Sequence, residues 1–330
     1  ANTTGHGIIG KHNLSKHNLT FRETSVLLNS RLKLDGSMNL MRQVVKNKPT
    51  VGGFYMNPLV GLYRFPRGED IAYYKENFEV YDEGRNLNIQ NWHTSYEDFE
   101  QNPYWITNRI LSKENRMHVI VSLSANLKIN DWLSLQARGN VDYINDKVRQ
   151  QFYASTAPAL AGANGRYIEM DYQETQYYGD AILMMKKQWD AFSLNAALGV
   201  SINDKTVNST RYDSKTASLK YANVFNLANI IMNGSAGLDQ KIDARRQLQS
   251  LFATAQLGYN EFVYLDLSAR NDWSSTLAYT SHEKSGFFYP SVGFSLIFNK
   301  LMTLPQWVSL AKIRGAYSMA VSYTHLRAHE

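Results

Sequence analysis

Cysteine is absent from all 330 residues. That excludes disulfides, thiolate nucleophiles and cysteine-bound zinc, and leaves the compartment open. Long apolar runs are also missing, since no stretch reaches the roughly 18 residues of a membrane-crossing helix. This does not exclude the membrane, because barrel strands alternate and give only a weak hydropathy signal. Proline is scarce, at 7, and glycine unremarkable, at 20, so the chain is neither disordered nor collagen-like. The net charge of +6 is spread without a Lys/Arg block. A nucleic-acid partner is therefore not expected. The start at Ala1, without Met or a signal-peptide pattern, reads as the interior of a longer chain.

What is present is alternation. Hydrophobic residues make up 44% of the chain, enough for a large structure of one or two domains, and aromatics 12%, with 21 Tyr. Val119, Val121, Leu123, Ala125 and Leu127 share one parity, followed after a break by Leu133, Leu135, Ala137, Gly139, Val141 and Tyr143. The other parity holds Ser122, Ser124, Asn126, Lys128, Ser134, Gln136, Arg138, Asn140 and Asp142. Successive strand side chains point to opposite faces, so this is a hairpin with one greasy and one wet face. The pattern returns at 192–203, 251–259, 263–270 and 292–298, and less cleanly at 20–32, 37–46, 174–188 and 311–318. About ten strands result, many longer than the usual five or six residues.

The connections alternate in length. Short turns are expected near "KLDGS" (33–37), "KINDW" (128–132), "QWDAF" (188–192) and "YNEF" (259–262). Long connections cover about 47–115, 150–170, 205–240 and 271–287. An all-β, antiparallel, up-and-down transmembrane barrel segment has this lopsidedness, with its long loops on one side. Trp132, Trp189, Phe192, Tyr259, Phe262 and Tyr264 cluster at the short turns. Tyr143 lies eleven residues up its strand from Trp132, roughly 28 Å of height at a barrel tilt. That separation fits two aromatic girdles around an apolar band. Outer-membrane lipid then covers the greasy face, and Lys128, Arg138, Asp142 and Asn195 look into a lumen. A soluble β-sandwich with one buried face per sheet stays open as an alternative.

Several stretches resemble the SusC/RagA-type TonB-dependent outer-membrane transporters of Bacteroidetes. They are "NPLVGLYRFPRGED" (57–70), "NPYWITNRILSKENR" (102–116), "INDWLSLQARGNVDYINDKVRQQFYAST" (129–156), "YLDLSARNDWSSTL" (264–277) and "FFYPSVGFSLIF" (287–298). The resemblance covers about residues 15–320 and implies part of a larger, plugged barrel that imports oligosaccharides or peptides. It also implies a SusD-like surface lipoprotein as a lid, and coupling to the TonB complex through an N-terminal part that precedes this region in the family. Residues 1–14 then form a loop or lead-in from plug to barrel, and 47–115 a long extracellular loop. After "KIRGAYS" (312–318) the chain departs from the family, and 321–330, containing "SYTHLRAHE" from 322, reads as a non-native tail.

Chemical motifs are weak. "GHGIIG" (5–10) matches a dinucleotide fingerprint without the flanking strand, helix and acid. His6, His12 and His17 fit no zinc spacing. The 47–115 connection holds Glu69, Asp70, Glu76, Glu79, Asp82, Glu83, Glu97, Asp98 and Glu100. These suit a solvated loop first, then Ca²⁺ in an extracellular loop, and least a hydrolytic carboxylate pair. The same connection is rich in rings, of which Trp92, Tyr96, Tyr104 and Trp105 are candidate substrate contacts beside Trp273 of "ARNDWSSTL". Packing of the loop, or a girdle position for Trp273, competes with that role. No spacing suggests a catalytic triad, so no enzyme activity is expected, and an outer-membrane barrel enzyme is the alternative it displaces. No cofactor is expected.

Overall fold

The computed structural model describes residues 1–48, 54–94, 100–215, 219–232, 237–279, 286–302, 304–305 and 307–319. Its strands are β1 (Asn2–His6), β2 (Asn13–Leu27), β3 (Leu32–Lys46), β4 (Glu79–Asp82), β5 (Leu87–Gln90), β6 (Ile110–Lys128), β7 (Leu133–Phe152), β8 (Arg166–Trp189), β9 (Phe192–Asp213), β10 (Gly237–Tyr259), β11 (Val263–Ser274), β12 (Phe287–Ile297) and β13 (Lys312–Ser318). Three short helices, α1 (Pro58–Arg64), α2 (Ile71–Glu76) and α3 (Pro103–Arg109), lie with β4 and β5 in the connection between β3 and β6.

Eleven strands form one antiparallel sheet in chain order, with β4 and β5 set apart as a separate hairpin. Each strand of the large sheet pairs with its sequence neighbour there, so the topology is a pure meander. The sheet is open, with β1 and β13 at its two edges. It is therefore barrel-like in composition and topology without being a closed barrel. No second sheet covers either face among the described residues, unlike the sandwich alternative.

Register turns the period-two pattern into continuous rows. Leu34, Ala125, Ala137, Ala181, Val200 and Leu251 lie directly opposite one another on successive strands β3 to β10. The row below reads Leu32, Leu127, Leu135, Leu183, Leu198, Ala253 and Ala269. These side chains stay open to the surroundings; Leu198 is 52% and Val200 51% exposed. On β9 the apolar set runs from Phe192 to Ile202, about 26 Å of height at a barrel tilt. One step beyond, still on that face, Arg245 forms an ion pair with Asp204, which also accepts a hydrogen bond from Gln247. The apolar band thus ends sharply. At the short-turn end the rings of Trp189, Phe192, Tyr259 and Phe262 touch in series, at 6.4, 4.9 and 5.6 Å between centroids. Lys187 sits over Trp132, 5.4 Å from the ring. Amphipathic rings with a cation beside them are what an interface between lipid and water selects.

Three boundaries differ from the sequence expectation. The turn expected at 33–37 lies inside β3, and the chain reverses at Leu28–Arg31 instead. Leu28, Asn29 and Ser30 all take positive φ, of 53°, 51° and 67°, without a glycine among them. The Asp35–Gly36 pair that suggested a turn is held extended, because Arg22 and Thr24 bind the Asp35 carboxylate from β2. Second, residues 1–14 form β1 and the opening of β2, and "GHGIIG" contributes to that hairpin rather than to a strand–helix unit. Third, β7, β8, β9 and β10 run further into the long connections than expected, to Phe152, from Arg166, to Asp213 and from Gly237. The stretch 321–330 lies outside the described residues.

The buried apolar side chains are elsewhere. Trp92, Trp105, Ile106, Phe152, Tyr167, Leu219, Ile230 and Leu277 all lie at the long-loop end. The sheet carries the apolar band, and a cap of connections carries the packed core.

Candidate functional site

Two surfaces are available to a ligand: the polar face of the sheet and the cap above it. On the polar face Asp35, Ser124, Arg138, Asp180, Ser201, Ser250 and Asp272 share one row across seven strands. Charges in it are matched. Arg138 reaches Asp180 at 2.6 Å, and Tyr178 donates its hydroxyl to the same carboxylate at 2.6 Å. Arg270 donates to Asp272 at 2.7 Å and to Ser250 at 2.8 Å. It also stacks over Phe252, whose ring lies across Gly199 where a Cβ would sit 2.3 Å away. A glycine is required there for that close approach.

Lys128, Arg138, Asp142 and Asn195, chosen from the sequence, all fall on this face by register. Lys128 pairs with Asp131 at 2.7 Å and Asp142 with His118 at 2.7 Å. A hollow of about 810 Å³ near the short turns brings Lys128 and Asn195 together with Lys186, Gln256 and Asp266. Arg138 and Asp142 lie outside it. The wall therefore offers many hydrogen-bonding groups whose charges are largely answered in place. That suits a polar ligand or a packed protein segment better than a strongly charged one.

The cap begins with two Asn-Pro pairs. Asn57 and Asn102 each accept from the backbone N–H two residues on, at 3.0 and 2.8 Å, and Pro58 and Pro103 open α1 and α3. The side-chain oxygen satisfies an orphan donor, and proline has no donor to waste at the first helical position. Pro66 follows soon after α1, so the helix within "NPLVGLYRFP" is short. Gly61 lets α1 press onto the Gln101 carbonyl, where a Cβ would lie 2.6 Å away. Gln90, Gln101 and Asn102 are buried and pin this connection to the next. Gln90 donates to the Ser155 carbonyl at 3.2 Å and accepts from the Asn102 N–H at 2.7 Å. Gln101 accepts from the Ala157 N–H at 2.8 Å. A third connection joins through Asn223, which accepts from the Ala154 N–H at 2.7 Å, and Asn164, which donates to the Leu219 carbonyl at 2.9 Å.

The aromatic candidates separate within this frame. Trp105 is fully buried, with its indole N–H donating to Thr156 at 3.0 Å. Trp92 is 8% exposed and packs against the rings of Phe65, Tyr74 and His93. Burial takes both out of the set able to touch a ligand in this arrangement. Tyr104 is half-buried, and Tyr96 lies outside the described residues. Trp273 shares a row with Gly179, Ile202 and Gln249, on the apolar face at the top of the band, and so faces away from the polar wall. Rings that do stand out include Tyr63 at 85%, Tyr73 at 51%, Tyr81 at 60% and Tyr221 at 71% exposed. Sequence alone singled out none of these four, because exposure within a folded loop leaves no periodic signal.

The acids of the first connection are dispersed. Glu69 accepts from the Tyr74 hydroxyl at 2.9 Å, which raises the Tyr74 pKa. Asp70 caps α2, Glu79 binds Arg109 at 2.6 Å, and Glu100 lies between His93 and Arg64 at 3.0 and 3.2 Å. Glu97 and Asp98 lie outside the described residues. Among the described residues no three His, Cys, Asp or Glu side chains gather as a metal would require. His6 and His17 bind Asn13 and Asn2 separately across the first hairpin.

One buried charge cluster supports a pH prediction. Asp213, beyond the apolar band at the end of β9, has a side chain 2% exposed. It accepts from Arg166 at 2.8 and 2.9 Å, Arg211 at 2.7 Å and the Lys215 N–H at 2.8 Å. Burial pushes its pKa up, but those hydrogen bonds and both guanidinium charges outweigh it and hold the carboxyl below the ordinary range. A carboxyl depressed in the folded state adds stability that is present above its unfolded pKa, near 3.9, and is lost as pH falls through the folded value. Acidification is expected to loosen the 214–230 connection. Hydrogen exchange at the Tyr167 and Ser214 amides, corrected for intrinsic rate, checks this. Unchanged protection down to about pH 2 contradicts it.

No protein-family model matches the sequence, and no curated protein matches it. Solved structures do. The structure titled as the RagAB peptide transporter aligns at TM-score 0.68 and 17% identity over 93% of this chain. The RagAB peptide importer in its "closed-closed" state aligns at 0.64 and 18% over 96%. P. aeruginosa FpvA bound to heterologous pyoverdines aligns at 0.53 and 12% over 89% of this chain and 35% of its own. The chain spans about a third of the RagAB chains it matches, 33% and 34%. The RagAB structures are described as a peptide transporter and a peptide importer and FpvA as a pyoverdine complex, none of them as an enzyme. At these identities the likeness is one of fold: this chain folds like about a third of the RagAB chains.

Proposed function

We propose that the chain is a portion of the barrel wall of an outer-membrane TonB-dependent importer of the SusC/RagA type, taking up oligosaccharides or peptides. The observation that carries this reading is the meander of eleven strands with one continuous uncovered apolar face and one ion-paired polar face. The fold likeness to a peptide transporter and the stretches resembling SusC/RagA proteins support it further. Transport on this reading is passage without bond chemistry. Lys128, Arg138, Asp142 and Asn195 belong to the lumen wall, and Tyr104 with the exposed cap tyrosines Tyr63, Tyr73, Tyr81 and Tyr221 meets cargo on the outside. Flat rings stack on sugar or peptide faces with little entropy cost. A SusD-like lipoprotein closes over the cap, and the TonB complex acts through a plug outside this stretch.

The test is whole-cell uptake of labelled oligosaccharide and peptide pools in a strain lacking the gene and in one lacking TonB. Loss of the same cargo in both strains is expected. Undiminished uptake of every pool in the deletion strain, or recovery of the protein in the soluble fraction, contradicts the reading.

A further inference from the structure

We propose that Asn164–Gly165 is a self-modifying site: its own backbone converts Asn164 to aspartate or isoaspartate, and the product releases one connection of the cap from its neighbour. The inference is independent of the membrane reading. Of the two Asn-Gly pairs in the sequence, this one lies within the described residues. Gly162, Ala163, Asn164 and Gly165 form a tight turn, closed by the Gly165 N–H on the Gly162 carbonyl at 2.9 Å. Each residue of the pair answers a structural demand. Gly165 has a φ of +97°, and a Cβ there would lie 2.4 Å from the Phe152 carbonyl, so only glycine fits. Asn164 donates its side-chain amide to the Leu219 carbonyl at 2.9 Å and to the Lys220 carbonyl at 3.4 Å. Its own carbonyl accepts from the Asn223 N–H at 3.1 Å. Two separate requirements thus place asparagine directly before glycine at the joint between two connections.

That pair is chemically labile. With no Cβ on the following residue, its backbone nitrogen reaches the asparagine side-chain carbon unhindered. The Gly165 nitrogen attacks Cγ of Asn164 and a C–N bond forms. The side-chain nitrogen leaves as ammonia, carrying the proton that the Gly165 nitrogen gives up. Water then adds to one of the two carbonyls of the cyclic imide and opens the ring. Opening on one side gives aspartate; on the other it gives isoaspartate, whose main chain is longer by one carbon. In the closed cap both reacting groups are occupied, the nitrogen by Gly162 and the amide by Leu219. Reaction therefore proceeds while the joint is open, at a rate set by the open population.

The product cannot close the joint again in the same way. A carboxylate has no donor, and here it faces the two carbonyl oxygens that the amide had bound. Leu219 itself is fully buried and packs with Tyr167 and Ile230. Loss of the tie therefore loosens that cluster as well as the turn. Because the step is irreversible, it accumulates with each opening, and molecules whose cap opens most often are converted first.

Peptide mapping of the purified full chain, held folded in mildly alkaline buffer, tests the proposal, with the same chain unfolded in urea as reference. The mass gain of an amide-to-acid change at Asn164, with labelling by isoaspartyl methyltransferase, is expected in the folded protein more slowly than in urea. In Trp105→Ala, whose cap opens more, conversion is expected at least about tenfold faster than in wild type. Hydrogen exchange at the Asn223 amide is expected to be about tenfold faster in Asn164→Asp than in fresh wild type. Aged wild type, which folded before it reacted, should show the same acceleration, while Asn164→Gln stays unconverted. An Asn164 that remains intact in both wild type and Trp105→Ala until the unfolded chain is fully converted overturns the proposal. So does equally slow exchange at Asn223 in fresh and fully converted wild type.

Discussion

Leu123→Arg is expected to destabilise the membrane-inserted protein by about 2–4 kcal/mol, while Ser122→Arg, one residue away, is tolerated. Leu123 is the midpoint of the apolar set on β6, opposite Gly36 and Gly139, and 60% exposed. With lipid against it, a guanidinium there loses its water at the depth where that loss is largest. Ser122 lies opposite Ser37 and Asn140 on the polar face, where an extra cation meets hydrogen-bonding neighbours. Urea-dependent folding into lipid vesicles measures both. If the sheet were a surface of a soluble protein, arginine at an exposed Leu123 would be harmless or helpful, so near-equal stability of the two variants counts against the lipid assignment.

Trp105→Ala is expected to cost the cap about 3–5 kcal/mol. The side chain is fully buried at the start of the α3 turn, and its removal leaves a large cavity and an unanswered Thr156 hydroxyl. Because Gln90, Gln101 and Asn102 fasten the same two connections together, the loss spreads to the 153–165 connection. The large sheet does not depend on this residue. Limited proteolysis should show faster cutting within 54–109 and 153–165 with unchanged β6 to β9. Tyr63→Ala, at a site 85% exposed, should change stability by less than about 0.5 kcal/mol. On the proposed function it lowers cargo capture instead. A Trp105→Ala protein as resistant to protease as wild type contradicts the packing role.

The large sheet is legible in the sequence because its physics is periodic. Apolar groups on one side and polar groups on the other impose a period of two, visible from Val119 to Tyr143 and from Phe192 to Ile202. The strand extensions above the band lost that signal. Residues 150–152 and 166–170 carry polar groups on both faces, so they read as loop although they pair in full register. The misplaced first turn has a similar cause. Asp-Gly at 35–36 is a strong local turn signal, yet pairing with both neighbours holds it extended. For the cap, sequence supplied the abundance of rings. It could not rank them, since Trp105 and Tyr63 differ only in tertiary burial. The tie from Asn164 to Leu219 was invisible for a related reason: its two ends are 55 residues apart in sequence.

The most direct test uses the missing cysteine, which makes every introduced one unique. Single cysteines placed in turn from Phe192 to Asp204, spin-labelled in isolated outer membranes, can be probed with oxygen and with a water-soluble relaxation agent. The account predicts oxygen maxima at Phe192, Leu194, Ala196, Leu198, Val200 and Ile202, aqueous maxima at the residues between, and a switch to aqueous access at Asp204. Aqueous access at every position, or a profile without a two-residue period, would contradict the claim that this sheet is a membrane wall.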